Sequence, residues 1–224
     1  MKKAMGIALL ASSAILAPLH AYAAQVDWVQ WNSTGSAGSF SQGGVSIGVT
    51  ANAQLKGVDY TDYYSAFPGT YLSAAVSNGP GTDGVLQFTG GSSAVHHISF
   101  SQAVVNPYIA IISLGQASEQ ASFDFVDVGN ISLISSGPGN WGNGMLRVEG
   151  GSVIGEEGSG VIRLSGTFTD LYFTTPVYED WYGMTVGVAA AVPEPGTWGM
   201  LAAGGAVLGL MGRRRRNDKL GLPR

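Results

Sequence analysis

The sequence predicts an all-β fold, an antiparallel β-sandwich of jelly-roll type, flanked by an N-terminal signal peptide and a C-terminal transmembrane helix. Three observations carry that prediction. Between residues 24 and 188 no apolar pattern of helical period runs long enough to bury a helix face. Short apolar segments recur instead, separated by turn dipeptides at roughly 8 to 15 residues, the spacing of a sandwich or barrel. The 224 residues include 34 glycines, 9 prolines and no cysteine, with 45% apolar and 12% charged. Glycine and proline punctuate turns, and without disulfides the stability of an exported domain must come from a buried core.

Lys2 and Lys3 precede an apolar run over residues 4–19, and Ala21 and Ala23 supply the small residues of a cleavage site. This is the layout of a secretory signal peptide, residues 1–23, removed by signal peptidase after passage through the secretion translocon. The run is shorter than the roughly 20 residues of a membrane-spanning helix, which argues against an uncleaved anchor.

The body that follows is acidic. Residues 24–191 carry three cations, Lys56, Arg147 and Arg163, against thirteen Asp and Glu, a net charge of −10, although the whole chain is only −4. That balance excludes polybasic attraction to nucleic acid. The compensating charges, among them Arg213, Arg214, Arg215 and Arg216, flank the two most apolar segments and read as membrane topology signals.

Within the ectodomain, residues 24–188, the Ser/Gly-rich stretch 32–48 suits an outer strand or a partly mobile segment, and composition does not decide between them. Ile98-Ser99-Phe100-Ser101 and Ser122-Phe123-Asp124-Phe125 alternate strictly, as half-buried strands do. Tyr108-Ile109-Ala110-Ile111-Ile112 is an unbroken apolar run, expected of a strand buried on both faces. Val161-Ile162-Arg163-Leu164 and Leu171-Tyr172-Phe173 complete the clearest set. Gly43-Gly44, Asn78-Gly79-Pro80-Gly81, Gly90-Gly91, Gly129-Asn130 and Gly150-Gly151 mark turns, giving about ten strands in two sheets.

The body offers little conventional chemistry. Without cysteine there is no thiol nucleophile and no sulfur metal site. His96 and His97 are neighbours, so on a strand they face opposite sides and cannot share a metal; one packed and one exposed is the expectation. Serine hydrolases of the α/β type need a strand-to-helix elbow, and no helix is predicted in the body. Gly137-Pro138-Gly139-Asn140-Trp141-Gly142 satisfies G-x-G-x-x-G, but Met145-Leu146-Arg147-Val148 continues as strand; the glycines shape a wide turn that presents Trp141. Glu156 with Glu157, and Glu179 with Asp180, are adjacent acids that diverge on a strand, whereas a retaining glycosidase needs carboxyls about 5 Å apart across one cleft. No cofactor is called for. Calcium is the cation that loop acids at a sandwich rim would suit, with Asp59, Asp62, Glu156 and Glu157 as candidate ligands, against the plainer role of solubilising charge. Trp141, Trp181 and Tyr182 are the candidate carbohydrate-binding residues, since exposed rings beside carboxylates stack on and hydrogen-bond to sugars; burial at the sandwich end is their plainer role.

Residues 189–224 form the third segment: a linker at 189–197, an apolar stretch at 198–212 and a basic tail at 213–224. Pro193 and Pro195 flank Glu194, forbid helix and hold an extended strip. Trp198 stands where an interfacial aromatic belongs, Gly205 and Gly209 make a small-xxx-small face, and the arginines fix the C-terminus in the cytoplasm. Val192-Pro193-Glu194-Pro195-Gly196-Thr197, the apolar stretch and the Arg213-Arg214-Arg215-Arg216 cluster together resemble the PEP-CTERM sorting signal of Gram-negative bacteria. That resemblance implies an exosortase, a membrane-embedded transpeptidase, as partner, recognising and cutting at Pro193, Glu194 and Pro195. It also implies export, transient anchoring in the inner membrane, and a final place in the cell envelope, on the outer surface or outside the cell.

The body's second half resembles a recurrent ectodomain of PEP-CTERM surface proteins, through Asn106-Pro107, Ile112-Ser113-Leu114-Gly115, the 137–144 glycine turn, Gly155-Glu156-Glu157-Gly158 and Trp181-Tyr182-Gly183-Met184. No activity comes with that likeness. The leading expectation is a non-enzymatic, exosortase-sorted protein of the cell surface or exopolysaccharide matrix. The alternative is a carbohydrate-binding sandwich module, calcium-dependent or not, with exopolysaccharide as partner; a secreted hydrolase ranks last.

Overall fold

Alternation along each strand builds the two layers. In the fourteen-residue strand Ser92–Val105, His96, Ile98 and Phe100 turn inward while His97, Ser99 and Ser101 turn out. The computed structural model describes residues 23–32, 36–52 and 55–190, together with Gly199, Gly204 and Gly205. In chain order the strands are β1 (Val26–Trp28), β2 (Gln30–Trp31), β3 (Ala37–Gln42), β4 (Val45–Asn52), β5 (Leu55–Asp59), β6 (Val85–Phe88), β7 (Ser92–Val105) and β8 (Tyr108–Leu114). They continue as β9 (Ala121–Val126), β10 (Ile131–Gly137), β11 (Arg147–Glu149), β12 (Ser152–Gly155), β13 (Gly158–Leu164), β14 (Thr167–Thr175) and β15 (Tyr182–Ala189). A 3-10 turn, Pro68–Tyr71, interrupts the long connection between β5 and β6.

The strands pair antiparallel in two sheets. One has the order β10-β13-β8-β15-β6-β5, with β1 also paired to β15; the other runs β11-β12-β9-β14-β7-β4-β3-β2. The eight central strands of the two sheets are laid out as a jelly roll, β6-β15-β8-β13 facing β7-β14-β9-β12, as expected from the sequence. The strand count exceeds the expected ten because pairings of two or three residues, such as β2 and β11, leave no alternation to read.

Two apolar cores result. Between the sheets lie Phe88, Phe123, Phe173, Tyr182 and Met184, all fully buried. The outer face of the β8 sheet holds a second core, where Tyr108, Ala110 and Ile112 meet Tyr64, Tyr71 and Val76 of the β5–β6 connection. This explains the unbroken run in β8, since Ile109 and Ile111 serve the first core and their neighbours the second. Beside it, β15 offers only glycine at two outward positions: a Cβ on Gly183 would lie 2.3 Å from Val85 Cγ1, and one on Gly187 2.6 Å from Val26 Cγ1.

From residue 37 on, the Ser/Gly-rich stretch forms outer strands, β3 and β4. Gln42 pairs with Val45 across Gly43 and Gly44, whose φ angles of 59° and 82° make the two-residue hairpin that only glycine enters cheaply. His96 is fully buried, stacked on Phe173 at 5.0 Å and bonded through Nε2 to Thr175 Oγ1 at 3.0 Å; burial lowers its pKa. His97 stands outside with Nε2 2.7 Å from Asp170 Oδ1, so the pair divides as expected. The expected signal peptide (but for Ala23), the Pro193-Glu194-Pro195 motif and the arginine cluster lie outside the described residues. So does the apolar stretch 198–212 apart from Gly199, Gly204 and Gly205, which are helical. Among the described residues no helix is long and apolar enough to cross a membrane.

Candidate functional site

A jelly roll brings alternate connections to the same end, and here that end gathers the body's aromatic and acidic loops. Glu157 N–H donates to Gly115 O at 3.1 Å, Gly90 N–H to Glu179 O at 2.9 Å and Gly115 N–H to Glu179 Oε2 at 2.7 Å. These bonds knit the β6–β7, β8–β9, β12–β13 and β14–β15 connections together. The 137–145 loop packs over them because it is rich in glycine. A Cβ on Gly142 would fall 2.4 Å from Glu157 Cβ, and one on Gly144 1.6 Å from the Glu156 carbonyl, so no larger residue allows this approach. The loop is therefore a wide turn holding out Trp141, which is half exposed, as its glycines predicted.

Trp141 meets Trp181 at 4.5 Å between ring centroids, and Tyr63 meets both, at 5.2 and 5.1 Å. The three rings tilt 46–65° to one another and form one aromatic wall. It borders a cleft of about 390 Å³ whose remaining lining is Ser113, Gln116, Glu157, Glu179 and Asp180. Tyr63 is anchored by its own hydroxyl, which donates to Asp59 Oδ2 at 2.8 Å, and its carbonyl receives Asn140 Nδ2 at 3.2 Å.

Glu179 is the group whose chemistry the fold changes most. It is 4% exposed, and burial pushes its carboxyl up to about 8, reinforced by the nearby Glu157 and Glu119 and opposed by the Gly115 N–H bond. At neutral pH it is mainly a neutral acid, able to donate a hydrogen bond. Glu157 Oε2 accepts from Ser113 Oγ at 2.6 Å. Glu157 and Ser113 hold positive φ angles of 56° and 51°, and Ser118, whose N–H reaches Glu156 Oε1 at 3.0 Å, one of 68°. Each such non-glycine residue costs on the order of 1–3 kcal/mol, and three of the chain's five described cases crowd this one end.

Of the aromatics singled out from sequence, Trp141 and Trp181 stand together and Tyr182 does not join them. Tyr182 opens β15 on the inner side, fully buried against Phe88 and Phe123, because successive strand residues point to opposite faces. Tyr63, Glu179 and Ser113 were not singled out as binding residues. The tyrosine-rich string Asp59-Tyr60-Thr61-Asp62-Tyr63-Tyr64 was the available signal for the first.

The candidate calcium ligands are occupied separately. Burial raises the Asp59 pKa, but bonds from Thr61 and Tyr63 outweigh it and hold the carboxyl below its ordinary value. Asp62 accepts from the Ser65 N–H at 3.2 Å and from the Ser65 hydroxyl. Among the described residues no three His, Asp or Glu side chains are grouped to hold a metal ion. A G-x-S-x-G string, Gly44-Val45-Ser46-Ile47-Gly48, lies on the β3–β4 hairpin and in β4, so Ser46 sits at no nucleophile elbow. A larger recess of about 470 Å³ lies beside β1, but its Asn78 is spent on structure, bonding Val26 N–H at 2.7 Å and Val26 O at 2.8 Å.

Residues 191–216 match the PEP-CTERM protein-sorting motif. The motif supports an exosortase-sorted, membrane-transiting protein of the cell surface. No curated protein and no solved structure matches the chain.

Proposed function

We propose that this chain is a non-enzymatic protein of the cell surface or exopolysaccharide matrix, delivered by exosortase. Signal peptidase removes residues 1–23, the stretch 198–212 holds the body at the inner membrane, and cleavage at Pro193, Glu194 and Pro195 frees it for the envelope or the medium. The observation that carries this reading is the sorting motif at residues 191–216, with proline-flanked Glu194, an apolar stretch and four arginines in that order. Changing Pro193, Glu194 and Pro195 to alanine is expected to leave an inner-membrane species that retains the arginine cluster, seen by intact mass spectrometry of cell fractions. Unchanged mass and location would overturn the exosortase route.

A second reading concerns the body itself, and the aromatic cleft favours it: the sandwich binds polysaccharide. Tyr63, Trp141 and Trp181 give apolar faces for sugar rings, while Glu157 and Glu179 offer an acceptor and a donor for hydroxyls. Trp141→Ala is expected to weaken glycan binding about tenfold or more, a loss of about 1.4 kcal/mol. Its melting temperature should stay within a few degrees of the wild type, because a half-exposed ring contributes little to the core. Equal binding by both proteins would remove this cleft as the site.

A further inference from the structure

We propose that the cleft prefers a glycan of amino sugars whose amines are unacetylated and positively charged. This deepens the carbohydrate-binding reading and rests on it. Charge is the first argument. Glu157 and Asp180 line the cleft, and Glu156 and Glu119 sit on the adjoining loops, bonded to Ser118 N–H and to Gln116 Nε2 at 2.7 Å. Among the described residues no cation balances them fully. Lys56 reaches only Asp180, at 3.6 Å; Arg147 is held by Glu149 and Gln120 at 2.7 and 2.8 Å; Arg163 lies at the far end of β13, opposite Tyr108 and Ser132. Such a site repels uronate or sulfate chains and attracts ammonium groups.

The aromatic wall is the second argument, independent of charge. Trp141 is 50% exposed, with Trp181 and Tyr63 tilted against it at 48° and 46°, so an ammonium or a sugar face can lie over its free side, and indole is the strongest of the cation-binding rings. Glu157 completes the set. Ser113 engages its Oε2, which fixes the carboxylate and leaves Oε1 for a charge-assisted bond to the amine. Glu179, buried and protonated at neutral pH, adds a donor for a hydroxyl without adding charge that would need compensation.

The test is titration of the isolated mature protein with glucosamine oligomers, N-acetylglucosamine oligomers, glucose oligomers and an oligouronate, at mildly acidic pH where the sugar amines are protonated. The glucosamine chain is expected to bind about tenfold tighter than its acetylated form, and the oligouronate not at all. Trp141→Ala should weaken all binding, and Glu157→Gln should cancel the glucosamine advantage, so that the glucosamine and N-acetylglucosamine chains bind that variant equally. Equal, Trp141-dependent binding of charged and neutral chains would overturn the amino-sugar preference and leave the carbohydrate reading standing. No binding of any chain would overturn both. Glucosamine binding indifferent to Trp141→Ala and abolished by moderate salt would mean attraction to the acidic body as a whole, and would overturn the proposal for this cleft.

Discussion

Glu179→Gln is expected to leave stability unchanged below about pH 4.5 and to raise it over wild type progressively as the pH climbs to about 8. The sign follows from proton binding. In the unfolded chain the Glu179 carboxyl ionises near its ordinary 4.5; in the folded protein burial delays ionisation to about 8. Between those values the folded state holds a proton that the unfolded state has released, so the wild type loses stability as the pH rises, and above the upper value the loss is constant. Fully developed, the penalty is on the order of 5 kcal/mol, a large share of the roughly 5–15 kcal/mol that holds a domain together. Glutamine keeps the shape and a carbonyl to accept the Gly115 N–H, and has no charge to bury. Urea denaturation of both proteins at about pH 4 and about pH 9 measures the difference. Two curves that run parallel across that range would show that Glu179 ionises normally and that the cleft floor is wetter than its burial indicates.

Phe88→Ala is expected to cost about 3–5 kcal/mol, enough to bring the domain near unfolding at moderate temperature. Phe88 is fully buried where the sheets meet, and its ring packs at 5.3 Å on His96, 5.9 Å on Phe123, 5.7 Å on Phe173 and 6.1 Å on Tyr182. Truncation leaves a cavity that four rings anchored on different strands cannot close together. With no disulfide to limit the unfolded chain, the loss falls directly on the folding equilibrium. Phe88→Leu should cost much less, and thermal unfolding of the two variants separates cavity cost from side-chain chemistry. A Phe88→Ala protein as stable as Trp141→Ala would contradict this placement of the core.

The fold was legible because its signals are local. Alternation in Ser92–Val105 and Ala121–Val126 fixed which side chains face the core, the Gly43-Gly44 pair fixed a hairpin, and the apolar run in β8 announced a strand covered on both faces. The site was legible only in fragments. Trp141 stood out through its glycine turn and Trp181 through composition, but Tyr182 was grouped with them although its strand parity turns it inward. Glu179 passed for half of an ordinary acidic pair. Nothing near it in sequence tells that Gly115, 64 residues away, binds its carboxyl group, or that a jelly-roll end buries it.

The sequence by itself determined the class of fold, the acidity of the body and the sorting motif at residues 191–216, since each is written in composition or in contiguous spacing. Only the tertiary structure decided which aromatic rings form a wall and which fill the core, and which of thirteen acids keeps its proton at neutral pH. Both follow from burial and from contacts between loops distant in the chain, and desolvation acts on the assembled environment of a side chain rather than on its neighbours in sequence.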